Sequence, residues 1–317
     1  MNDLISNDNT ELNLNTTIKE PILNFDFPGL KIGIAEYENG PTGCTVFYFP
    51  KGVKMASDIR GGAPGVIGEN RTYADAICFA GGSLWGYEAI TGVSAELLKW
   101  RKYSPNWMEI PLVSGAIIYD FGPRKNSIYP DKRLGREALK TAVEGKYPLG
   151  RQGAGISASV GKCLDFSYAE MAGQGGAFTQ KGDIKILVFT VVNSLGAIIN
   201  RDGEIVRGFL NRSNDERVNA MKYVNTQIAE KNENLSMNTT LTLVVTNQKF
   251  DDYSLRQAGR QIHSSIARAI QPFHAISDGD SLYIVSTQEI ENKELPLTSF
   301  GIVASEVAWD AVLNCYK

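Results

Sequence analysis

Histidine is nearly absent from this chain: of 317 residues only His263 and His274 are of this type. A zinc site built on several imidazoles is therefore not expected. Cysteine is equally sparse. Cys44, Cys78, Cys163 and Cys315 are scattered without a C-x-x-C spacing, the pattern of reduced thiols in a cytoplasmic protein rather than of a disulfide framework or a metal knuckle. No apolar run reaches membrane-spanning length, and residues 1–15 carry neither a basic stretch nor an apolar segment of the kind that opens a secretory signal. A large charge excess is missing too. A net charge of −3 gives no electrostatic reason to expect a nucleic acid or a membrane surface as partner.

What is present suits a soluble globular chain with an ample core: 43% hydrophobic and 21% charged residues, in a length that allows one large domain or two small ones. Residues 1–20 are rich in Asn, Asp and Thr with little to bury, and read as a mobile arm. Residues 21–317 read as a single domain. Strand patterns at Leu30–Ala35, Gly43–Phe49, Ala76–Ala80, Val113–Asp120, Ile184–Val192, Asn238–Asn247 and Ser281–Thr287 interleave with helical patterns at 84–101, 134–145, 215–230, 254–270 and 300–313. Pro50-Lys51-Gly52 is expected to end the second strand. Ala197–Ile199 and Glu204–Val206 flank Asn200-Arg201-Asp202-Gly203, a hairpin signal. The mixture of hairpins and helices favours a layered α/β sandwich with mixed sheets over a doubly wound parallel sheet.

Two glycine-rich motifs offer chemistry and are set aside. Gly153-Ala154-Gly155-Ile156-Ser157-Ala158 matches a loose dinucleotide fingerprint, yet the preceding Tyr147–Gln152 cannot supply the required strand, so no cofactor is expected. Gly81-Gly82-Ser83 resembles a nucleophile elbow without its G-x-S-x-G frame and reads as a tight strand-to-helix turn.

The most suggestive stretch is Asn238-Thr239-Thr240-Leu241-Thr242-Leu243-Val244-Val245. A polar run from Ala229 passes without a turn into an alternating, β-prone strand. An N-terminal-nucleophile hydrolase needs a loop that enters a buried strand at a Thr, Ser or Cys. Cutting ahead of that residue frees an α-amine whose ordinary pKa suits it as general base for the adjacent hydroxyl. The tripeptide alone does not decide the matter. Asn15-Thr16-Thr17 repeats it without a following strand, and an ordinary strand start or a glycosylation acceptor would look the same.

Four separated stretches agree on one family. Asp58-Ile59-Arg60-Gly61-Gly62-Ala63-Pro64-Gly65, Ala80-Gly81-Gly82-Ser83, Asn193 after a long strand, and Asn238-Thr239 resemble the L-aminopeptidase/D-amidase/esterase family, which includes β-peptidyl aminopeptidases and 6-aminohexanoate-oligomer (nylon oligomer) hydrolases. The resemblance runs from about Gly29 to the C-terminus. Thr239 after Asn238, and the pair Asp278 and Asp280 around Gly279, look most like the nylon oligomer hydrolases, since the aminopeptidases use a Ser at the cut and a Ser-x-Glu pair. The resemblance implies a four-layer α/β/β/α sandwich, self-cleavage between Asn238 and Thr239 into fragments 1–238 and 239–317, and assembly of the cleaved pairs into a ring, often a tetramer.

It also implies roles. Thr239 would be the nucleophile, and Asp278 and Asp280 would orient its amine and hydroxyl. Asn193 would donate to the oxyanion, a contact worth ~3 kcal/mol. Tyr119 would add a second donor, and Lys162 would lower the amine's pKa by like-charge proximity. Each residue also has a plainer reading: turn residues for Asp278, Asp280 and Asn193, an aromatic at a strand end for Tyr119, a solvated surface cation for Lys162. The expected function is hydrolysis of amide bonds in ω-amino acid oligomers. The alternatives are an aminopeptidase or amidase for small β- or D-amino acid substrates, an acyltransferase with the same self-cleaving logic, and an uncut metabolite-binding protein.

Overall fold

The protein is described by a computed structural model covering residues 4–163, 165–221, 225, 238–291 and 295–317. The principal strands and helices are β1 (Lys31–Tyr37), β2 (Thr42–Ile59), β3 (Tyr73–Ala80), α1 (Tyr87–Trp100), β4 (Val113–Ile117), α2 (Lys132–Lys140), β5 (Gln174–Lys181), β6 (Ile184–Asn193), β7 (Thr239–Gln248), α3 (Asp252–Ser265), β8 (Ser281–Ile290) and α4 (Leu297–Leu313). Hydrogen bonding joins β5-β6-β7-β8-β2-β3-β4 in that order, with β1 also on β2. The β7–β8 and β3–β4 pairs are parallel and the others in this run antiparallel.

One long strand makes two layers out of this run. The first half of β2 pairs with β1 and β3, and its second half, Lys54–Ile59, with β8. The sequence suggested a stop at Pro50-Lys51-Gly52. The strand instead continues, with a register shift against β3 between Tyr48 and Val53 and Gly52 at φ 68°. Pro50 needs no partner for a missing N–H at an irregularity, so the ladder resumes beyond it.

Three apolar cores separate four layers. Between the two sheet halves lie Phe47, Phe79, Phe189, Leu241, Leu243, Val245 and Tyr283. Ring centroids of Phe47 and Phe189 are 5.1 Å apart, and those of Tyr147 and Phe189 4.6 Å. The outer face of β5–β8 carries α3 and α4 through Val188, Val244, Leu282, Ile262 and Phe300. The outer face of β1–β4 carries α1 and α2 through Val46, Cys78, Val93 and Leu134. This is the expected α/β/β/α sandwich. The alternation read from β7 now has its cause. Leu241, Leu243 and Val245 face the inter-sheet core, while Val244 faces the helices, and all ten residues of the strand are buried.

Of the arm, Leu14–Asn15 pair with Tyr37 and Glu36, and the Lys19 N–H donates to Gln152 Oε1 at 2.7 Å. Half of the expected helix over 215–230 lies outside the described residues, and its start differs: Glu216–Arg217 pair with Leu210–Asn211 as strands. The hairpin forms between Ala197–Ile199 and Ile205–Arg207. Among the described residues no helix is long and apolar enough to cross a membrane.

Candidate active site

Thr239 is the first residue of β7 and pairs directly with Asn193, the last residue of β6. Two inner strands thus end at the same level and place both side chains at one edge of the sheet. Thr239 is 4% exposed. Its hydroxyl donates to the carbonyl oxygen of Asn238, the residue just before it. The same carbonyl accepts the Gly279 N–H at 2.7 Å. The carbonyl of the bond between Asn238 and Thr239 therefore meets the Thr239 hydroxyl and a backbone donor.

The loop that carries Gly279 is held from two sides. Asn238 forms a parallel bridge with Asp278, and Asp280 Oδ1 accepts the Thr240 N–H at 2.7 Å. From the other side, the Arg60 and Gly61 N–H groups donate to the Asp280 carbonyl at 3.1 and 3.2 Å, and the Ala63 N–H to the Asp278 carbonyl at 2.8 Å. The backbones are so close that a Cβ on Gly61 would lie 2.2 Å from the Asp278 carbonyl oxygen. This explains the diglycine: only a residue without a side chain lets two backbones meet at this distance. A Cβ on Gly279 would lie 2.6 Å from the Thr239 hydroxyl oxygen.

Asp278 is a turn residue, accepting the Ala275 N–H at 2.9 Å, and it also accepts the Leu195 N–H at 3.3 Å beyond the end of β6. Burial, with Asp280 beside it, pushes its carboxyl up to about 6.

Lys162 is not a surface cation. It is 6% exposed, and Nζ donates to the Asn193 carbonyl at 2.9 Å and to Asn193 Oδ1 at 3.0 Å. Burial pulls its pKa down to about 7, opposed by the charge of Asp278. Its backbone N–H is bonded to the Leu195 carbonyl at 2.8 Å, which fixes the end of the glycine-rich run against β6. Asn193 is held on both sides of its amide: Oδ1 also accepts the Ser159 N–H at 3.1 Å, and Nδ2 donates to the Tyr119 carbonyl at 2.9 Å. Nδ2 carries a second hydrogen beyond this bond. Tyr119 enters this cluster through its carbonyl rather than its hydroxyl, and its ring packs edge-on against Phe121 at 5.5 Å.

Two contributors were not apparent from sequence. Gly279 supplies a backbone N–H, which no residue pattern announces. His274 donates its N–H to Asp280 Oδ2 at 2.9 Å and sets Nδ1 3.1 Å from the same oxygen. His263 is fully buried on α3, and its Nδ1 lies 2.9 Å from Asp58 Oδ2.

The described geometry agrees with what the chain is similar to. Residues 25–315 match the profile of peptidase family S58. A 6-aminohexanoate-oligomer endohydrolase from Kocuria sp. (strain KY2) is 45% identical over 307 residues, covering 93% of this chain and 86% of the relative. The 6-aminohexanoate-oligomer endohydrolase of Paenarthrobacter ureafaciens is 44% identical over 308 residues with the same coverage. Among solved structures, the L-aminopeptidase D-Ala-esterase/amidase of Ochrobactrum anthropi, described as a variant of the Ntn hydrolase fold, superposes with a TM-score of 0.62 at 15% identity, covering 95% of this chain and 82% of that one. A β-aminopeptidase from Burkholderia sp. gives 0.65 at 13%, covering 95% and 88%. The chain belongs to peptidase family S58 and is an amide-bond hydrolase.

Proposed function

We propose that the chain cuts itself between Asn238 and Thr239 and then works as an N-terminal-threonine hydrolase on amides of ω-amino acids, of which 6-aminohexanoate oligomers are the test substrates. The observation that carries this reading is the Asn238 carbonyl, held between the Thr239 hydroxyl and the Gly279 N–H at the mouth of a fully buried strand. Attack of Oγ1 on the Asn238 carbonyl carbon places the negative charge on an oxygen that already has a donor. The peptide nitrogen leaves as the α-amine and an ester forms. Water then hydrolyses the ester, giving the Asn238 carboxylate and a free Thr239.

In turnover the α-amine takes the hydroxyl proton and Oγ1 attacks the substrate carbonyl. The proton passes to the departing amine, and water clears the acyl-enzyme. Asn193 offers its remaining N–H to the oxyanion. Asp278 and Asp280 hold the loop beside the new terminus, and Lys162 keeps the Asn193 amide oriented while adding positive charge to the site. Nylon oligomers are man-made, so the physiological substrate is taken to be another ω-amino amide. The reading extends, on family resemblance, to a ring-like homotetramer of cleaved pairs, and, on the scattered unpaired cysteines, to a cytoplasmic location.

A denaturing gel with N-terminal sequencing tests this. Wild type should give two fragments, the second beginning at Thr239. Thr239→Ala should run as one band and hydrolyse no 6-aminohexanoate oligomer. Full activity in an intact wild-type chain would refute the mechanism.

A further inference from the structure

The only two histidines of the sequence meet behind the acidic loop. Their rings lie edge to face with centroids 4.5 Å apart. Each is tied to a carboxylate through Nδ1, His263 to Asp58 and His274 to Asp280. The outer carboxylate is fixed in turn: Arg60, which leads into the diglycine, donates Nε to Asp58 Oδ2 at 2.6 Å. The His274 ring also packs against Phe273, with centroids 3.9 Å apart, and Phe273 in turn lies 5.7 Å from His263. His274 is thus one corner of a cluster of three rings, and its backbone adopts φ 61° so that its N–H and its Nδ1 reach one oxygen of Asp280.

Packing alone does not account for imidazoles here. The Nε2 atoms of both rings are buried and meet no hydrogen-bond partner among the described residues. A phenyl ring would fill the same space without stranding a buried polar atom. What imidazole adds over phenyl is the Nδ1 contact to a carboxylate.

We propose that His274 is a positioning residue for the Thr239 centre: it clamps Asp280 Oδ2 so that Oδ1 stays on the Thr240 N–H, with His263 and Asp58 locking its ring. This rests on the reading of Thr239 as nucleophile. The chain of contacts runs Arg60, Asp58, His263, His274, Asp280, Thr240, and it ends one residue from the reacting hydroxyl. A charge-assisted bond of this kind sets geometry rather than substrate affinity, so its loss should appear in kcat.

The test compares His274→Phe with His274→Asn on 6-aminohexanoate oligomers, beside Thr239→Ala. Asn tolerates a positive φ and places an N–H close to the position of Nδ1. His274→Phe should lower kcat on the order of 10- to 100-fold, the scale of one hydrogen bond to a charged group, with KM changed less than about twofold. His274→Asn should recover most of that loss. Equal losses in both variants, or none in His274→Phe, overturn the proposal. A variant-free measurement covers failure to fold. With only two histidines, nitrogen-15 NMR of the wild type resolves both rings, and each must carry a proton on Nδ1. A bare Nδ1 on His274 also overturns it. Turnover surviving in Thr239→Ala strikes the underlying mechanism instead, and this clamp with it.

Discussion

Asp278 has an ordinary side chain in an expensive place. Its carboxyl is raised from 3.8 to about 6, first by burial and then by Asp280. A folded-state pKa above the unfolded one means the native chain binds the extra proton between these values. The contribution of this group to stability is therefore fully present below about 3.8 and is lost as pH rises through about 6. Activity should move the opposite way, because the ionised carboxylate accepts at both oxygens, whereas protonation turns one of them into a donor and removes the negative charge. We expect the acid limb of kcat/KM on 6-aminohexanoate oligomers to show an apparent pKa near 6, a value belonging to the acidic pair as a unit. A limb that falls only below pH 4 would remove Asp278 from the machinery. At this scale much was legible in the sequence. Thr239, Asn193, Asp278 and Asp280 all come together at one edge. Lys162, apart from the family resemblance, read better as a surface cation, because nothing in the one-dimensional pattern shows that Gly161-Lys162-Cys163 runs beneath the end of β6. His274 was illegible for a different reason: its partner Asp280 lies only six residues away, but a backbone with φ 61° is needed to bring the two together.

The site depends on elements meeting without side chains between them. Gly61 and the Asp278–Asp280 loop are bonded backbone to backbone, and a methyl group at position 61 would sit 2.2 Å from one carbonyl oxygen and 2.3 Å from the Asp280 nitrogen. Neither atom is the end of a flexible side chain, so the loop must move. Gly61→Ala should cost about 1–3 kcal/mol in stability, the usual range for overpacking, readable by urea unfolding. It should also slow both self-cleavage and turnover by about 100-fold, since a displacement near 1 Å is enough for that. Normal turnover in a folded Gly61→Ala chain would show that the contact is structural only. The diglycine was visible in sequence as an unusual cluster, and the structure supplies its reason. The course of β2 was not. Pro50-Lys51-Gly52 has turn chemistry, yet the strand passes through it by a register irregularity, because the residues beyond Pro50 find β8, a partner more than two hundred positions later. Local pattern cannot weigh such a distant pairing.

For the molecule as a whole, the position of the proposed cut decides whether the two fragments would part. The fragment from Thr239 onward holds β7, α3, β8 and α4. Its two strands pair with each other and fill the middle of the sheet, with β6 of the first fragment along β7 and β2 along β8. Helices α3 and α4 pack on the outer face of the same layer, in the core that also contains Val188 of β6 and Ala56 of β2. Severing one peptide bond at the strand end removes none of these contacts. The pieces separate only if two ladders and two shared cores open together, a cost comparable to unfolding the domain. Cleaved protein should therefore run as two bands under denaturing conditions and elute as one species on native size exclusion, with both fragments at equal molar amounts in the peak. Its mass by light scattering should be a multiple of the full chain, four copies for the proposed ring. Separate elution of the fragment from Thr239 in native buffer would mean that β7 does not occupy the central place described here, and the geometry argued for its first residue would fall with it.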